Sequence, residues 1–207
     1  MRKEKKSVKI EIRNDCVIID GYVNAVERDS KVLRDCKGSF IEKIKAGAFQ
    51  RALDRAKKTS YAVKVLLNHN YERELTSTAD STTRLTEDSI GLRCHCEIRD
   101  AEVIEKAKNR KLVGWSFGFV PLKAERTDGE IQHRDVIELD LREVSILDST
   151  KIPAYNGTSI ETRSEDIDDF YEIRMINDEI EIEDRSTDDP VEFDNYEYEN
   201  RYMATRV

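Results

Sequence analysis

Several features are missing from this 207-residue sequence, and each absence excludes a class of protein. No stretch approaches the roughly 20 consecutive apolar residues that a membrane-spanning helix requires. Residues 1–6 are basic, but no apolar segment follows them, so a secretory signal peptide is not expected. Only four cysteines are present, and without an export signal we interpret them as reduced cytosolic thiols and not as a disulfide framework.

The chain also has no long block of lysine or arginine, which argues against a dedicated nucleic-acid-binding protein. Its charge is nevertheless uneven. Residues 161–207 contain 17 acidic and 5 basic residues, whereas residues 1–160 contain 26 acidic and 30 basic residues. Apolar residues make up 38% of the chain, the same share as charged ones, so we expect part of the length to lie outside a packed core. The sequence therefore predicts a mildly basic body over 1–160 and an acidic, flexible tail over 161–207.

Hydrophobic periodicity predicts an α+β body with mostly antiparallel strand pairing. Alternating apolar residues indicate strands in the segments 7–24, 40–44, 61–69, 85–98, 113–120 and 131–147. The segment 85–98 is predicted to be a hairpin of two strands. Helical spacing predicts helices over 47–58 and 101–110, the second capped by Asp100. The polar segment 29–38 is expected to be a loop or hairpin end, and the polar segment 70–83 is expected to be a loop. Pro153 and Gly157 are expected to end the body. In the tail, helical spacing after Ser164 predicts a short helix over 164–176.

Two segments carry side chains suited to nucleophilic catalysis. His69 ends the apolar strand 61–69, and imidazole is the usual general base near neutral pH; a structural role at the strand end is the alternative. In the segment 114–120, alternation places three aromatic residues on one face and Ser116, between two glycines, on the other. Such a face lets a substrate backbone approach the hydroxyl closely, although a core strand that accommodates a packed neighbour has the same pattern.

Glu143 is the candidate acid. Alternation along 139–147 places it and Ser145 on the same face as the three leucines of that segment, where an unpaired carboxylate would be costly. There it can orient a histidine and stabilise its imidazolium, as the acid does in Ser-His-Asp triads. A salt bridge to a neighbouring arginine is the alternative, and rival carboxylates on the other face are Asp140 and Glu138.

Together these segments supply base, nucleophile and acid in the order His69, Ser116, Glu143. Such triads are recognised by geometry and not by spacing, so the sequence alone leaves the assignment open. A zinc site is the competing interpretation of Cys94, His95 and Cys96 with His133. Alternation separates His95 from the two cysteines, and the usual Cys-x2-4-Cys spacing is missing, so we expect neither a metal nor a cofactor.

The chain from about residue 20 to residue 154 resembles the prohead (procapsid maturation) proteases of tailed phages. The matching blocks are DGYV (20–23), FIEKI (40–44), GAF (47–49), LNHN (67–70), DSIGL (88–92), WSFGF (115–119), LREVSI (141–146) and PA (153–154). Each block alone is unspecific, but their order over two-thirds of the chain is quite specific. Two departures are Ala46, where a proline often precedes the GAF block, and Lys151-Ile152 before the closing PA.

The resemblance implies a serine endopeptidase with a fold like that of the herpesvirus maturation protease, a β-barrel core surrounded by helices. By motif, His69 is then the base and Ser116 the nucleophile. Herpesvirus-type enzymes use a second histidine as the third member, but His95 and His133 both lie outside the closing block, so Glu143 is favoured.

The implied substrates are the scaffolding segment of the major capsid protein or a separate scaffold protein, and the protease itself. The implied location is the procapsid interior within the host cytoplasm. Neither a nucleic-acid nor a membrane partner is expected, and a homo-oligomer is an open alternative to a monomer. A catalytically inactive capsid-assembly protein with the same fold is the alternative function.

Overall fold

The structure, a computed structural model, describes residues 7–35, 37–151, 160–162, 171–176 and 179–186. Over these residues the strands are β1 (Ser7–Ile12), β2 (Val17–Ala25), β3 (Asp29–Asp35), β4 (Gly38–Ile44), β5 (Lys64–Leu67), β6 (Asn70–Ser77), β7 (Arg84–Glu87), β8 (Gly91–Ile98), β9 (Leu112–Thr127), β10 (Gln132–Asp148), β11 (Ile160–Thr162), β12 (Tyr171–Ile176) and β13 (Glu179–Asp184). The helices are α1 (Ala48–Lys58) and α2 (Ala101–Lys108). The protein is thus mostly β-sheet with two short helices in its described part.

The strands form two sheets in which antiparallel pairing dominates. The first has the order β13-β1-β2-β8-β7 and the second the order β11-β12-β9-β10-β4-β3. The long β9 and β10 pair antiparallel at the centre of the second sheet, and the β5–β6 hairpin joins this sheet because β5 pairs parallel with β10. Within the described residues neither sheet closes on itself, so the expected β-barrel core is not confirmed.

One cluster of buried apolar side chains connects both sheets with both helices. Helix α1 contributes Phe49, whose ring contacts the ring of Phe117 in β9 edge to face at a centroid distance of 5.4 Å. Asp100 caps α2, accepting a hydrogen bond from the Val103 N–H at 3.0 Å. The two predicted helices of the body are therefore confirmed. Neither of them is long and apolar enough to cross a membrane.

Three predicted elements are wrong. The segment 29–38, expected to be a loop or hairpin end, contains β3, which forms a hairpin with β4, and the segment 70–83, expected to be a loop, contains β6. Polar side chains of both strands alternate with partly buried ones because these strands lie at or near sheet edges that face solvent. The helix predicted over 164–176 is not formed in its described part, since 171–176 is strand β12. The remainder of that predicted helix, 164–170, lies outside the described residues, as do Pro153 and Gly157.

Three strands from residue 160 onwards belong to the sheets of the body: β11, which pairs with β12, and β12 and β13 themselves. Strand β12 pairs antiparallel with β9, and β13 pairs parallel with β1. Both strands alternate: Tyr171 and Ile173 of β12 are buried, and Ile180 and Ile182 of β13 pack against the core cluster. The expectation of a flexible tail therefore fails for β12 and β13, because each pairs with a strand of the body and has partly or fully buried apolar side chains.

Candidate active site

His69 is presented by a tight turn. Asn68 and His69 are the two residues between β5 and β6, and both have positive φ, 57° and 60°. Two central residues with positive φ are typical of the type I′ hairpin turn, in which asparagine is favoured. The turn is attached to the end of β10, because the Asn68 N–H donates to the Ile146 carbonyl at 2.9 Å and the Asn68 Oδ1 accepts from the Asp148 N–H at 3.0 Å.

Ser116 lies inside the second sheet, on β9 between β10 and β12. Its directly paired residue on β10 is Ser145, and Gly118 is paired with Glu143. Directly opposite residues share a face, so these four residues point to one side of the sheet while the aromatic side chains of β9 belong to the core cluster. The predicted division of the β9 faces is therefore confirmed.

A β-bulge brings Glu143 to the Ser116 face. Leu141 pairs with Phe119 on the core side, but the next pair is Glu143 with Gly118, so Arg142 is an extra residue on β10. The sequence prediction that Glu143 shares a face with Leu139 and Leu141 is therefore wrong. Strict alternation would have turned the carboxylate towards the aromatic core, and the extra residue reverses that direction.

The three candidate side chains form a continuous chain of contacts. The His69 Nε2 lies 2.7 Å from the Ser116 Oγ, and the His69 Nδ1 lies 2.7 Å from the Glu143 Oε1. Both Ser116 and Glu143 are 0% exposed, whereas the His69 side chain is 14% exposed. A neutral imidazole that donates from Nδ1 to the carboxylate has its acceptor atom, Nε2, facing the hydroxyl. The structure thus brings together a hydroxyl from β9, an imidazole from the β5–β6 turn and a carboxylate from β10.

Ser145 completes the surroundings of the carboxylate. Its hydroxyl donates to the Glu143 Oε2 at 2.6 Å and accepts from the His69 backbone N–H at 3.1 Å. Both carboxylate oxygens therefore have a donor, which a buried charge requires. The sequence placed Ser145 beside Glu143 but gave it no role, although two polar residues alternating within an apolar strand were the available signal.

The absence of a side chain at Gly118 makes room for the carboxylate. A Cβ atom at this position would lie 2.5 Å from the Glu143 Oε1 and 2.8 Å from the ring of Tyr171. Tyr171 in turn contacts Tyr71 edge to face at a centroid distance of 6.3 Å. Burial, followed by the charge of Glu143, raises the pKa of Tyr71 well above its ordinary value, so this phenol stays neutral beside the carboxylate.

The rival site residues lie at other positions in the two sheets. His95 Nδ1 lies 3.0 Å from Asp20 Oδ2 on the first sheet, His133 lies near the start of β10, and Asp140 pairs with Arg55 at 3.1 Å. Cys94 and Cys96 are buried in the core cluster, on the face of β8 opposite to His95. Among the residues that the structure describes, no group of three or more His, Cys, Asp or Glu side chains is arranged to hold a metal ion.

Sequence reasoning missed the strand that covers Ser116. Strand β12 lies along β9, with Met175 paired with Ser116, and the Ser116 hydroxyl donates to the Arg174 carbonyl at 2.7 Å. The alternation of Tyr171, Ile173 and Met175 was the available signal. The sequence alone favours helical spacing instead, because Tyr171 and Met175, which are four residues apart, fit both patterns.

Comparison with known proteins gives one result that concerns most of the chain. Comparisons with curated proteins and with solved structures returned no match. The family model of the caudovirus prohead serine proteases matches residues 4–172, which include all three candidate side chains. The protein therefore belongs to the caudovirus prohead serine protease family.

Proposed function

We propose that this chain is the endopeptidase of procapsid maturation, with Ser116 as nucleophile, His69 as general base and Glu143 as the acid that orients it. The observation that carries the proposal is the pair of 2.7 Å contacts that His69 makes with Ser116 and with Glu143. Family membership supports the reaction class, since the matching family consists of serine proteases. The catalytic unit corresponds to the body over 1–160.

The chemistry follows from these contacts. As the Ser116 Oγ attacks a peptide carbonyl, His69 takes the hydroxyl proton at Nε2 and becomes an imidazolium. The Glu143 carboxylate, held by Ser145, fixes the ring so that Nε2 faces the hydroxyl, and it stabilises the positive charge. His69 then returns the proton to the leaving amine, and water hydrolyses the acyl-enzyme by the reverse sequence.

We infer the substrate class from the family. A prohead protease cleaves proteins of the immature shell, and we propose the scaffolding segment of the major capsid protein, or a separate scaffold protein, as the main substrate. The protease itself is a further substrate in this proposal. The corresponding place of action is the interior of the procapsid in the host cell, where several copies of the chain can meet.

The decisive experiment is intact-protein mass spectrometry on wild type and Ser116→Ala, each co-expressed with the major capsid protein of the same phage. Wild type is expected to produce a shortened capsid protein or a shortened form of itself, and Ser116→Ala neither. Ser89→Ala, at an exposed turn, is the matched control and is expected to behave as wild type. If Ser116→Ala leaves every processing event unchanged, the chain is a non-enzymatic assembly protein.

A further inference from the structure

The edge of β9 beside the nucleophile is occupied by the chain itself. Strand β12 pairs antiparallel with this edge, so that Arg174 lies opposite Phe117 and Met175 opposite Ser116. An extended peptide that reaches Ser116 needs this same edge, because the other edge of β9 is taken by β10. A substrate strand and β12 therefore compete for one place.

One carbonyl of β12 contacts the proposed nucleophile. The Arg174 carbonyl oxygen accepts from the Ser116 Oγ at 2.7 Å, the same distance that separates this hydroxyl from His69 Nε2. The hydroxyl has a single hydrogen, so the carbonyl and the imidazole compete for it. The carbonyl of the peptide bond between Arg174 and Met175 is thus in direct hydrogen-bond contact with Ser116.

The side chain of Arg174 fills a built acidic site. Its guanidinium donates to both carboxylate oxygens of Glu42, at 2.6 and 2.9 Å, and lies over the ring of Phe119 at 5.3 Å from the centroid. Both Arg174 and Glu42 are buried. A two-pronged guanidinium–carboxylate contact with an aromatic floor is a geometry that selects arginine over other side chains.

A second ion pair, on the same face of β12 as Arg174, involves the residue two positions before it and extends the selection of side chains to that position. Glu172 of β12 accepts from both terminal nitrogens of Arg134, each at 2.7 Å. Departure of β12 would remove the carboxylate of Glu172 and the guanidinium of Arg174 together. Glu42 would keep Arg134 at 3.2 Å, so the empty groove would not contain an unpaired buried charge.

The spacing of these two side chains recurs in the acidic C-terminal part of the sequence. Four of the five arginines in 161–207 have a glutamate two residues before them, at 161–163, 172–174, 183–185 and 199–201. Strand β12 carries the second of these Glu-x-Arg segments. The segment seated at the nucleophile is therefore one member of a repeated pattern.

We propose that β12 occupies the substrate site in cis, and that the site selects extended Glu-x-Arg peptides and cleaves after the arginine. This inference rests on the proposed function and adds its substrate class. In the reaction the Ser116 Oγ bonds to the arginine carbonyl carbon, and the bond to the next residue's nitrogen breaks. That nitrogen takes the proton held by His69, and water releases the arginine carboxylate. Another peptide binds only after β12 has left the edge of β9.

The experiment uses the full chain as wild type and as Arg174→Ala, which removes the anchor of β12 and opens the position beside Glu42 to a substrate arginine. Arg185→Ala, in the Glu-x-Arg segment that lies beside β1 and not at the site, is the matched control. A fluorophosphonate probe that reacts with activated serines reports access to Ser116, read by mass spectrometry of the labelled peptide. Arg174→Ala is expected to label at least about tenfold faster than wild type, and Arg185→Ala at the wild-type rate.

Substrate selection is tested with a synthetic peptide of residues 169–178. Arg174→Ala is expected to cut it between arginine and methionine. The same peptide with citrulline in place of arginine keeps the shape without the charge, and is expected to be cut about 10²-fold more slowly, since the partner carboxylate is buried. Ile173→Ala, which weakens β12 without touching the ion pairs, serves as the second opened variant if Arg174→Ala does not fold.

The outcomes separate the two proposals. Equal labelling of Ser116 in wild type and in the opened variants would overturn the occupancy by β12. Rapid labelling with equal cleavage of the arginine and citrulline peptides would overturn the substrate class, while the nucleophile and the proteolytic function would stand. No labelling and no cleavage in any folded variant would overturn the proposed function and this inference together.

Discussion

Replacement of Glu143 by glutamine removes one charge and changes the shape of the site least. The His69 Nδ1 lies 2.7 Å from the Glu143 Oε1, and the carboxylate is 0% exposed. When His69 accepts the serine proton, the two charges are about 4 Å apart, and at an effective dielectric constant of about 20 they attract by about 4 kcal/mol. Because about 1.4 kcal/mol corresponds to a factor of ten in rate, we expect kcat to fall about 10³-fold with little change in KM.

The orientation of the new amide sets the upper limit of this loss. An amide NH2 turned towards His69 would force Nδ1 to accept, so Nε2 would carry the hydrogen and lose its function as a base. Ser145 is compatible with either orientation, because its hydroxyl can donate to the amide oxygen or accept from the NH2. The missing charge therefore sets the smallest expected loss, and the wrong tautomer would add to it.

The assay is the rate of capsid-protein cleavage in assembled procapsids, followed by intact mass over time. Asp140→Asn on the same strand is the control, since Asp140 forms a partly exposed ion pair with Arg55, and such pairs contribute about 0–1 kcal/mol. We expect this control to lie within about twofold of wild type. A rate for Glu143→Gln within tenfold of wild type, or an equal loss in Asp140→Asn, would refute the role of Glu143.

Three further predictions concern the supports of the site. Gly118→Ala is expected to lower the processing rate at least about tenfold and to destabilise the fold by about 1–3 kcal/mol in urea unfolding, because the added Cβ would lie 2.5 Å from the Glu143 Oε1. The control Gly129→Ala, at an exposed turn, should leave both the rate and the stability nearly unchanged. Asn68→Val is expected to be less stable than Asn68→Gly by about 1–2 kcal/mol, since φ is 57° at this position and a β-branched residue resists it; equal urea midpoints would contradict the turn type. Asp148 is buried, and although burial opposes it, the Lys106 ammonium and neighbouring donors hold its pKa well below the ordinary range. Because the folded-state pKa is lowered, the carboxylate stabilises the fold at pH values above its unfolded-state pKa of about 3.9, and this contribution is lost as the pH falls. Asp148→Asn should therefore lower the free energy of unfolding by about 1–3 kcal/mol at pH 7, and by less below about pH 4. No difference from wild type at any pH would show that the ion pair has no effect.

Most elements of the body could be predicted because their apolar residues follow one period. Helix α1 has its buried residues on one side, and the β7–β8 hairpin lies within the predicted segment 85–98 to within a residue. Strands β3 and β6 could not be predicted in this way, because a strand that is solvated on most of its length has too few apolar residues to reveal a period of two.

The site likewise has features that the sequence predicts and features that it does not. The types of the residues indicated His69, Ser116 and Glu143 as candidates, since each is a polar group at or within an apolar strand. The direction of Glu143 could not be predicted, because it depends on the extra residue Arg142 in β10, and a bulge has no reliable signature in alternation. The cover of Ser116 by β12 depends on long-range pairing, which a single sequence does not encode locally.

The pairing of β12 with β9 has a kinetic consequence. An occupant that belongs to the same chain competes at an effective concentration that is fixed by its tether and does not fall on dilution, about millimolar for a short flexible connection. A free peptide at micromolar concentration would then bind only during the rare intervals in which the edge is open. Peptide segments crowded on the inner wall of a closed shell would compete with β12 once their local concentration became comparable. Processing would accordingly begin when substrate density inside the shell rises, with no change in the chemistry of the three side chains.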